Sequence, residues 1–372
     1  MAVAEIPISR EDSDTASAAA ARWLPAVAAA IAYPYALRLF VDCIHAARAG
    51  SAFGRASCSL GALATLAVSC APAALALRAL LAIRLDTTAQ AIAARRLLHL
   101  VFAVPPVFLL CIRVAGGMNS LVGNTASGLA AWWGLWIVLS AIAWNAGRTS
   151  AKATGSTVTG VSSASAPAPL LNAVVGRSRK IHRVAVIAVL ASFLILHLAN
   201  HLFALWSIPA QRSAMLALRA WYRAAWIEPL ILGLFVIAAA TGLLRFARLS
   251  RGQADGFRVL QTACGVYLAF FLASHIWATL GARFHGIDTD WAFASGGKAG
   301  MLATGIAAAV LFYYVFALLA VAAHAGLGLR VVLLSRRVHA VAANRAARIV
   351  IAFGSAVSAL IVAALLGLRI GG

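Results

Sequence analysis

The chain has 372 residues, is 63% hydrophobic and only 11% charged, and carries a formal net charge of +21 with a mean hydropathy of +0.91. A soluble domain is nearer about one quarter charged, so this composition excludes an ordinary soluble globular protein. Strand alternation is absent, which argues against a membrane β-barrel, and the arginines are spread over short segments between apolar runs rather than gathered into a nucleic-acid surface.

Residues 1–22 begin with a polar stretch containing Glu5, Glu11, Asp12 and Asp14, and no cleavable signal peptide is predicted there. They read as a disordered tail. About nine apolar spans come next, at roughly 23–45, 57–83, 97–115, 127–146, 184–206, 226–247, 259–282, 303–329 and 347–369. Arg38 and Asp42 interrupt the first span and are spaced to pair at i, i+4 or to snorkel. The first four spans, residues 23–146, form a membrane module with no assignable role. Residues 147–180 are rich in Ser, Ala and Gly and read as a flexible cytoplasmic linker. Residues 181–372 form a second, five-helix membrane module. The predicted fold class is therefore all-α, a polytopic transmembrane helical bundle.

Loop charge sets the orientation. Arg84, Arg95 and Arg96, the 148–183 segment, the arginines between 245 and 258, and those between 330 and 348 come in the loops after alternate spans. The positive-inside rule then gives a cytoplasmic N-terminus, in a bacterial-type inner (plasma) membrane. Arg212, Arg219 and Arg223 on the opposite side depart from this pattern. The five cysteines are scattered and include no C-x-x-C-H, which disfavours covalently attached haem, and they read as small packing residues.

Histidines inside the apolar segments carry the chemical signal, because ionisable residues in a membrane core are costly. His197 and His201 lie one turn apart on the fifth span, His275 is on the seventh and His324 on the eighth. With the predicted orientation, His201 stands about 27 Å beyond Arg183 and His275 about 26 Å beyond Arg258 at the helical rise. The matched depth suits two axial ligands of one haem b, with His197 as the alternative ligand. His324 stands only about 9 Å from Arg330 and belongs to an inner level. His45, His99, His182, His285 and His339 fall near span ends or in loops and read as ordinary solvated histidines. At the outer ends of spans five to eight, Trp226, Glu228, Arg283 and Asp288 are candidate contacts for a quinone. An aromatic belt and an acidic helix N-terminus account for the same residues without function.

Three passages carry a family resemblance across residues of about 180–335. His197-Leu-Ala-Asn-His201-Leu resembles an H-x-x-N-H segment. Gln261-Thr-Ala-Cys-Gly265, running on to His275, resembles a Q-x-x-x-G…H helix. His324-Ala-Gly-Leu-Gly328-Leu-Arg330 resembles H-x-x-x-G-x-R. In this order they are similar to the haem b membrane anchors of succinate dehydrogenase and fumarate reductase, and closest to the related anchor domains of quinone-responsive bacterial adenylate cyclases. The resemblance implies haem b, electron exchange with a membrane quinone, and a separate flavoprotein/iron–sulfur or signalling subunit at the cytoplasmic face. It implies an anchor or sensor rather than an enzyme acting alone. In two-haem relatives four helices each supply a ligand, whereas span six here contains no histidine. One outer haem, an inner haem with a substitute ligand such as His99, and an anchor without haem all remain open. A transporter whose buried histidines bind substrate or relay protons is the reading from a different class.

Overall fold

A computed structural model of the protein describes residues 10–49, 52–116, 126–155, 169–296 and 305–370. Among these the regular elements are all helical: α1 (Arg10–Ala49), α2 (Ala52–Ala82), α3 (Ala89–Phe102), α4 (Val104–Gly116), α5 (Ala126–Gly155), α6 (Pro169–Val189), a π-helical turn (Leu190–Leu194), α7 (Ile195–Trp206), α8 (Ile208–Tyr222), α9 (Ile227–Leu249), α10 (Gly256–Phe284), the short α11 (Trp291–Ser295), α12 (Gly305–Ser335) and α13 (Ala340–Leu365). Among the described residues, 8 helices are long and apolar enough to cross a membrane, and a bent pair raises this to 9. The protein is an integral membrane helical bundle whose apolar exterior meets lipid.

Four local features differ from the sequence expectation. The helical backbone of α1 already runs from Arg10, through residues expected to be a disordered tail. Helix also enters the expected linker from both sides, α5 reaching Gly155 and α6 starting at Pro169; the intervening 156–168 lie outside the described residues. An amphipathic helix, α8, succeeds α7 without crossing, its N-cap Ser207 accepting from the Ala210 amide at 3.2 Å. The third predicted span is a broken pair, α3 and α4, bent by 79°. Pro105 and Pro106 explain the break: a proline disfavours helix at the residue before it, yet fits the first turn of a new helix. Ala103 takes the turn between them at φ −93°, ψ 20°.

The first helices and the histidine-bearing helices share one core. Trp23, Trp132, Trp136, Tyr267 and Phe312 are buried together in it. Pro34, inside α1, cannot donate to the Ala30 carbonyl, and in lipid that carbonyl has no water to turn to. The buried Trp132 indole supplies the missing donor, its Nε1–H lying 3.1 Å from the Ala30 oxygen. On the far side, α12 and α13 approach closely through glycine. A Cβ at Gly354 would stand 2.6 Å from Ala322 Cβ, and one at Gly326 would stand 2.8 Å from the Ala347 carbonyl oxygen. Small residues are what lets membrane helices touch in this way.

The arginine-rich connections meet at one end of the bundle. The Ala254 amide donates to the Arg84 carbonyl at 3.2 Å, joining the segment after α2 to that between α9 and α10. Arg330, near the end of α12, pairs with Asp255 at 3.0 Å. The Arg38–Asp42 pair forms at i, i+4, but at 3.8 Å and largely exposed it contributes little.

Replacing Trp132 by Phe keeps the ring packing and removes the N–H, leaving the Ala30 carbonyl buried and unbonded. Thermal unfolding in detergent should then show a loss of about 1–3 kcal/mol. Unchanged stability would mean that the Ala30 carbonyl has found another donor.

Candidate functional site

α6, the π turn and α7 make one long span, Gly176–Trp206. Its first two turns carry Arg177, Arg179, Lys180 and Arg183, whose long side chains reach the membrane surface while the backbone is already helical. This places His182 inside the span, contrary to the expectation of a solvated loop histidine. His182 and His197 stand about 22 Å apart along the span at the helical rise, so one helix serves two levels.

At the inner level the ring centroids of His182 and His324 are 6.4 Å apart, with the rings perpendicular. His182 Nδ1 lies 3.0 Å from the Ala238 carbonyl oxygen and 3.2 Å from Thr241 Oγ1, both on α9. His324 Nδ1 lies 3.0 Å from the Gln261 carbonyl oxygen on α10. A carbonyl only accepts, so each Nδ1 carries the proton, and each neutral ring keeps its lone pair on Nε2. Two glycines permit this packing. A Cβ at Gly265 would stand 2.9 Å from His324 Cε1, and one at Gly242 would stand 3.3 Å from His182 Cε1. The motif residues therefore converge: Gln261 bonds His324, Gly265 makes room for it, Gly328 faces the Gln261 side chain, and Arg330 holds Asp255 and Asn344. Arg245 acts electrostatically on both histidines and itself lies near Arg179 and Arg258. His99 is not the partner of His324. It is buried against Phe246, with Nδ1 bonded within its own helix to the Arg95 carbonyl at 2.6 Å.

At the outer level three histidines cluster. The rings of His197 and His201 are 4.9 Å apart on α7, and that of His197 is 6.4 Å from His275 on α10. His275 stacks on Phe271 and faces Tyr314 at 6.1 Å. His201 lies 5.9 Å from Trp291, and its buried Nδ1 has no partner. The inter-helix pair of known close separation is thus His197 with His275, one turn below the pair ranked first from depth alone. Among the described residues no group of three or more His, Cys, Asp or Glu side chains is arranged to hold a metal ion.

A bis-imidazole site asks for only two protein donors. Imidazole nitrogens bind metals at about 2 Å, so two rings on opposite sides of one ion have centres roughly 6 Å apart. Both the inner and the outer pair meet that separation. The inner pair also has the carbonyl-bonded second nitrogen that ligating histidines ordinarily show. The ring separation of either pair is what two imidazole ligands of one haem iron would require, and the inner pair also has the hydrogen-bonded second nitrogens.

The predicted quinone contacts divide differently. Glu228, in the first turn of α9, and Arg283, near the end of α10, form a bidentate ion pair in which Nη2 lies 3.1 Å from Oε2. Asp288 accepts from Arg219 at 2.8 Å. Trp226 is 73% exposed. Glu228, Arg283 and Asp288 are thus engaged in ion pairs between helix ends. An apolar crevice opens instead beside the π turn, lined by Ser192, Phe193, His197, Trp221 and Tyr222. Its signal in the sequence is faint, since a π turn leaves no composition mark, though such turns recur at functional sites.

No known family model matches the chain, and neither a curated protein nor a solved structure gives a match.

The Glu228–Arg283 pair is only partly exposed, at 25% and 32%. A double-mutant cycle of Glu228→Gln and Arg283→Gln should return a coupling of about 1 kcal/mol in thermal unfolding. Zero coupling, together with altered quinone binding in either single variant, would return these residues to the candidate site.

Proposed function

We propose that the protein is a membrane haem b protein that exchanges electrons with the quinone pool, as an anchor or redox sensor for a separate soluble partner. The observation that carries this reading is the inner pair: His182 and His324 come from different helices, both bond Nδ1 to a backbone carbonyl, and both keep Nε2 free at a ring separation of 6.4 Å. Two different helices thus bring together two imidazoles with the same tautomer at a perpendicular ring contact. His197 and His275 would hold a second haem at the outer level. Haem bound by two imidazoles supplies one-electron transfer without an open coordination position.

The chain's own residues have defined parts in this reading. The Ala238 and Gln261 carbonyls orient the inner imidazoles and keep their Nδ1 protons in place. Arg179, Arg245 and Arg258 form a cationic surround at that level, suited to haem's propionate carboxylates. The crevice beside His197 is walled by Phe193 and Leu196 with the Tyr222 and Ser192 hydroxyls in its lining; it has room for about one water, so a quinone ring would have to part these side chains to enter. The sequence resemblance to the succinate dehydrogenase and fumarate reductase anchors supports haem b as the cofactor, while the ligand set departs from the two-haem pattern, since one span here carries both His182 and His197. Counting α3–α4 as one crossing brings the arginine-rich connections to one side, consistent with a cytoplasmic N-terminus and a partner docking there.

The test is a dithionite-reduced minus air-oxidised spectrum of the purified protein with haem quantitation. A b-type α-band is expected; His182→Ala and His324→Ala should remove the same component, and His275→Ala the other. No haem after expression with haem supplied would overturn the proposal and leave a scaffold or a transporter.

A further inference from the structure

At the arginine-rich end, a cleft opens between α2, α3 and the α9–α10 connection. It is lined by Arg84, Arg95, His99, Arg258 and the apolar Leu80, Leu249 and Val259, and no carboxylate is in its lining. Arg95 is 3% exposed and His99 4%. Arg95 Nη1 donates to the Arg84 and Gly252 carbonyls at 3.2 and 3.1 Å, while its buried Nε and Nη2 have no partner. His99 donates from Nδ1 to the Arg95 carbonyl at 2.6 Å, and its buried Nε2 is unpaired. The nearest acids are engaged elsewhere: Asp86 accepts from the Thr88 amide, and Asp255 from the Arg258 amide and the Arg330 side chain.

A guanidinium buried with two donor groups unused is costly, and Asp86, which acts on Arg95 electrostatically, makes no ion pair with it. The cost is removed when an anion enters, and the planar Nε/Nη2 edge of arginine matches two oxygens of a phosphate. His99 contributes the complementary chemistry. With Nδ1 as donor, its Nε2 is an acceptor, so it would receive a hydroxyl rather than bind the anion itself. We propose that this cleft binds a glycerophosphate-type anion, Arg95 holding the phosphate oxygens and His99 a neighbouring hydroxyl, with Arg84 and Arg258 flanking. The chemistry is shared by the headgroup of phosphatidylglycerol and by soluble glycerol phosphate. The cleft stands where α2 and α9 end their apolar spans and α10 begins, the level of lipid headgroups, and its leucine and valine walls suit the start of acyl chains. Arg258 is shared with the cationic surround of the proposed inner haem, whereas Arg95 and His99, which carry this inference, have no part in that reading.

The experiment titrates delipidated wild-type protein and its Arg95→Gln variant with phosphatidylglycerol, phosphatidylcholine and glycerol 3-phosphate. Bound species are read by native mass spectrometry, and haem content by absorbance of the same samples. Saturable phosphatidylglycerol binding is expected, absent for phosphatidylcholine and at least about tenfold weaker in the variant. Competition by glycerol 3-phosphate at similar concentrations would keep the site and name the soluble anion as its source. Equal binding by variant and wild type, or equal binding of the two lipids, would overturn the proposal. So would a variant that loses haem with lipid binding unchanged, since the cleft would then serve haem carboxylates. Should Arg95→Gln not fold, His99→Leu gives the second reading: it should erase the preference for phosphatidylglycerol over phosphatidic acid, and an unchanged preference would overturn the proposal.

Discussion

Inside a bilayer a polar group has only protein to bond with, and much of this bundle is shaped by that constraint. The Ala30 carbonyl, freed by Pro34, takes the Trp132 indole and thereby fixes α5 against α1. Tyr267 donates to the Tyr313 carbonyl at 2.9 Å, Tyr313 to the Phe271 carbonyl at 3.1 Å, and Ser274 meets the Tyr313 hydroxyl at 2.8 Å, which clips α12 to α10. His182 and His324 use the same device with imidazole as donor. Each contact satisfies a group that would otherwise be exposed to hydrocarbon, and each joins two helices that lipid-facing leucines alone would leave indifferent to one another.

The class is legible in the sequence because long apolar runs admit few other structures, and the three motif passages do mark residues that meet. The rest is set by geometry that composition does not record. His182 reads as lying outside its span because four basic residues surround it; on a helix at the membrane surface those side chains snorkel, and the helix starts earlier than its hydropathy does. The α3–α4 break is encoded by Pro105 and Pro106, yet the apolar run across them looks continuous. The depth argument for His201 with His275 treats span five as a regular α-helix, whereas the π turn at Leu190–Leu194 changes the rise and rotates α7 relative to α6. Arg95 reads as a loop charge, although it is buried in α3.

Glu228 illustrates how one residue can satisfy two readings. Its place in the first turn of α9 suits a carboxylate near a helix N-terminus, and the same position sets it opposite Arg283 on α10. The crevice beside His197, by contrast, has no carboxylate, lysine or arginine in its lining and stands next to the π turn, so apolar packing and not charge points to it.

The two histidine levels are not independent features. α6 and α7 carry His182 and His197, α10 carries His275 and bonds His324 through Gln261, and α12 carries His324 and, through Tyr314, faces His275. The tyrosine clip between α10 and α12 lies between the levels and holds both in one frame. A frame of that kind suits the proposed electron transfer better than it suits transport. Alternating access needs one group of helices to rock against another around a central site, whereas here the same three elements line both levels, and two of them, α10 and α12, are bonded to each other across the intervening depth. A frame that fixes the separation of two imidazoles is what the proposed redox cofactor would require.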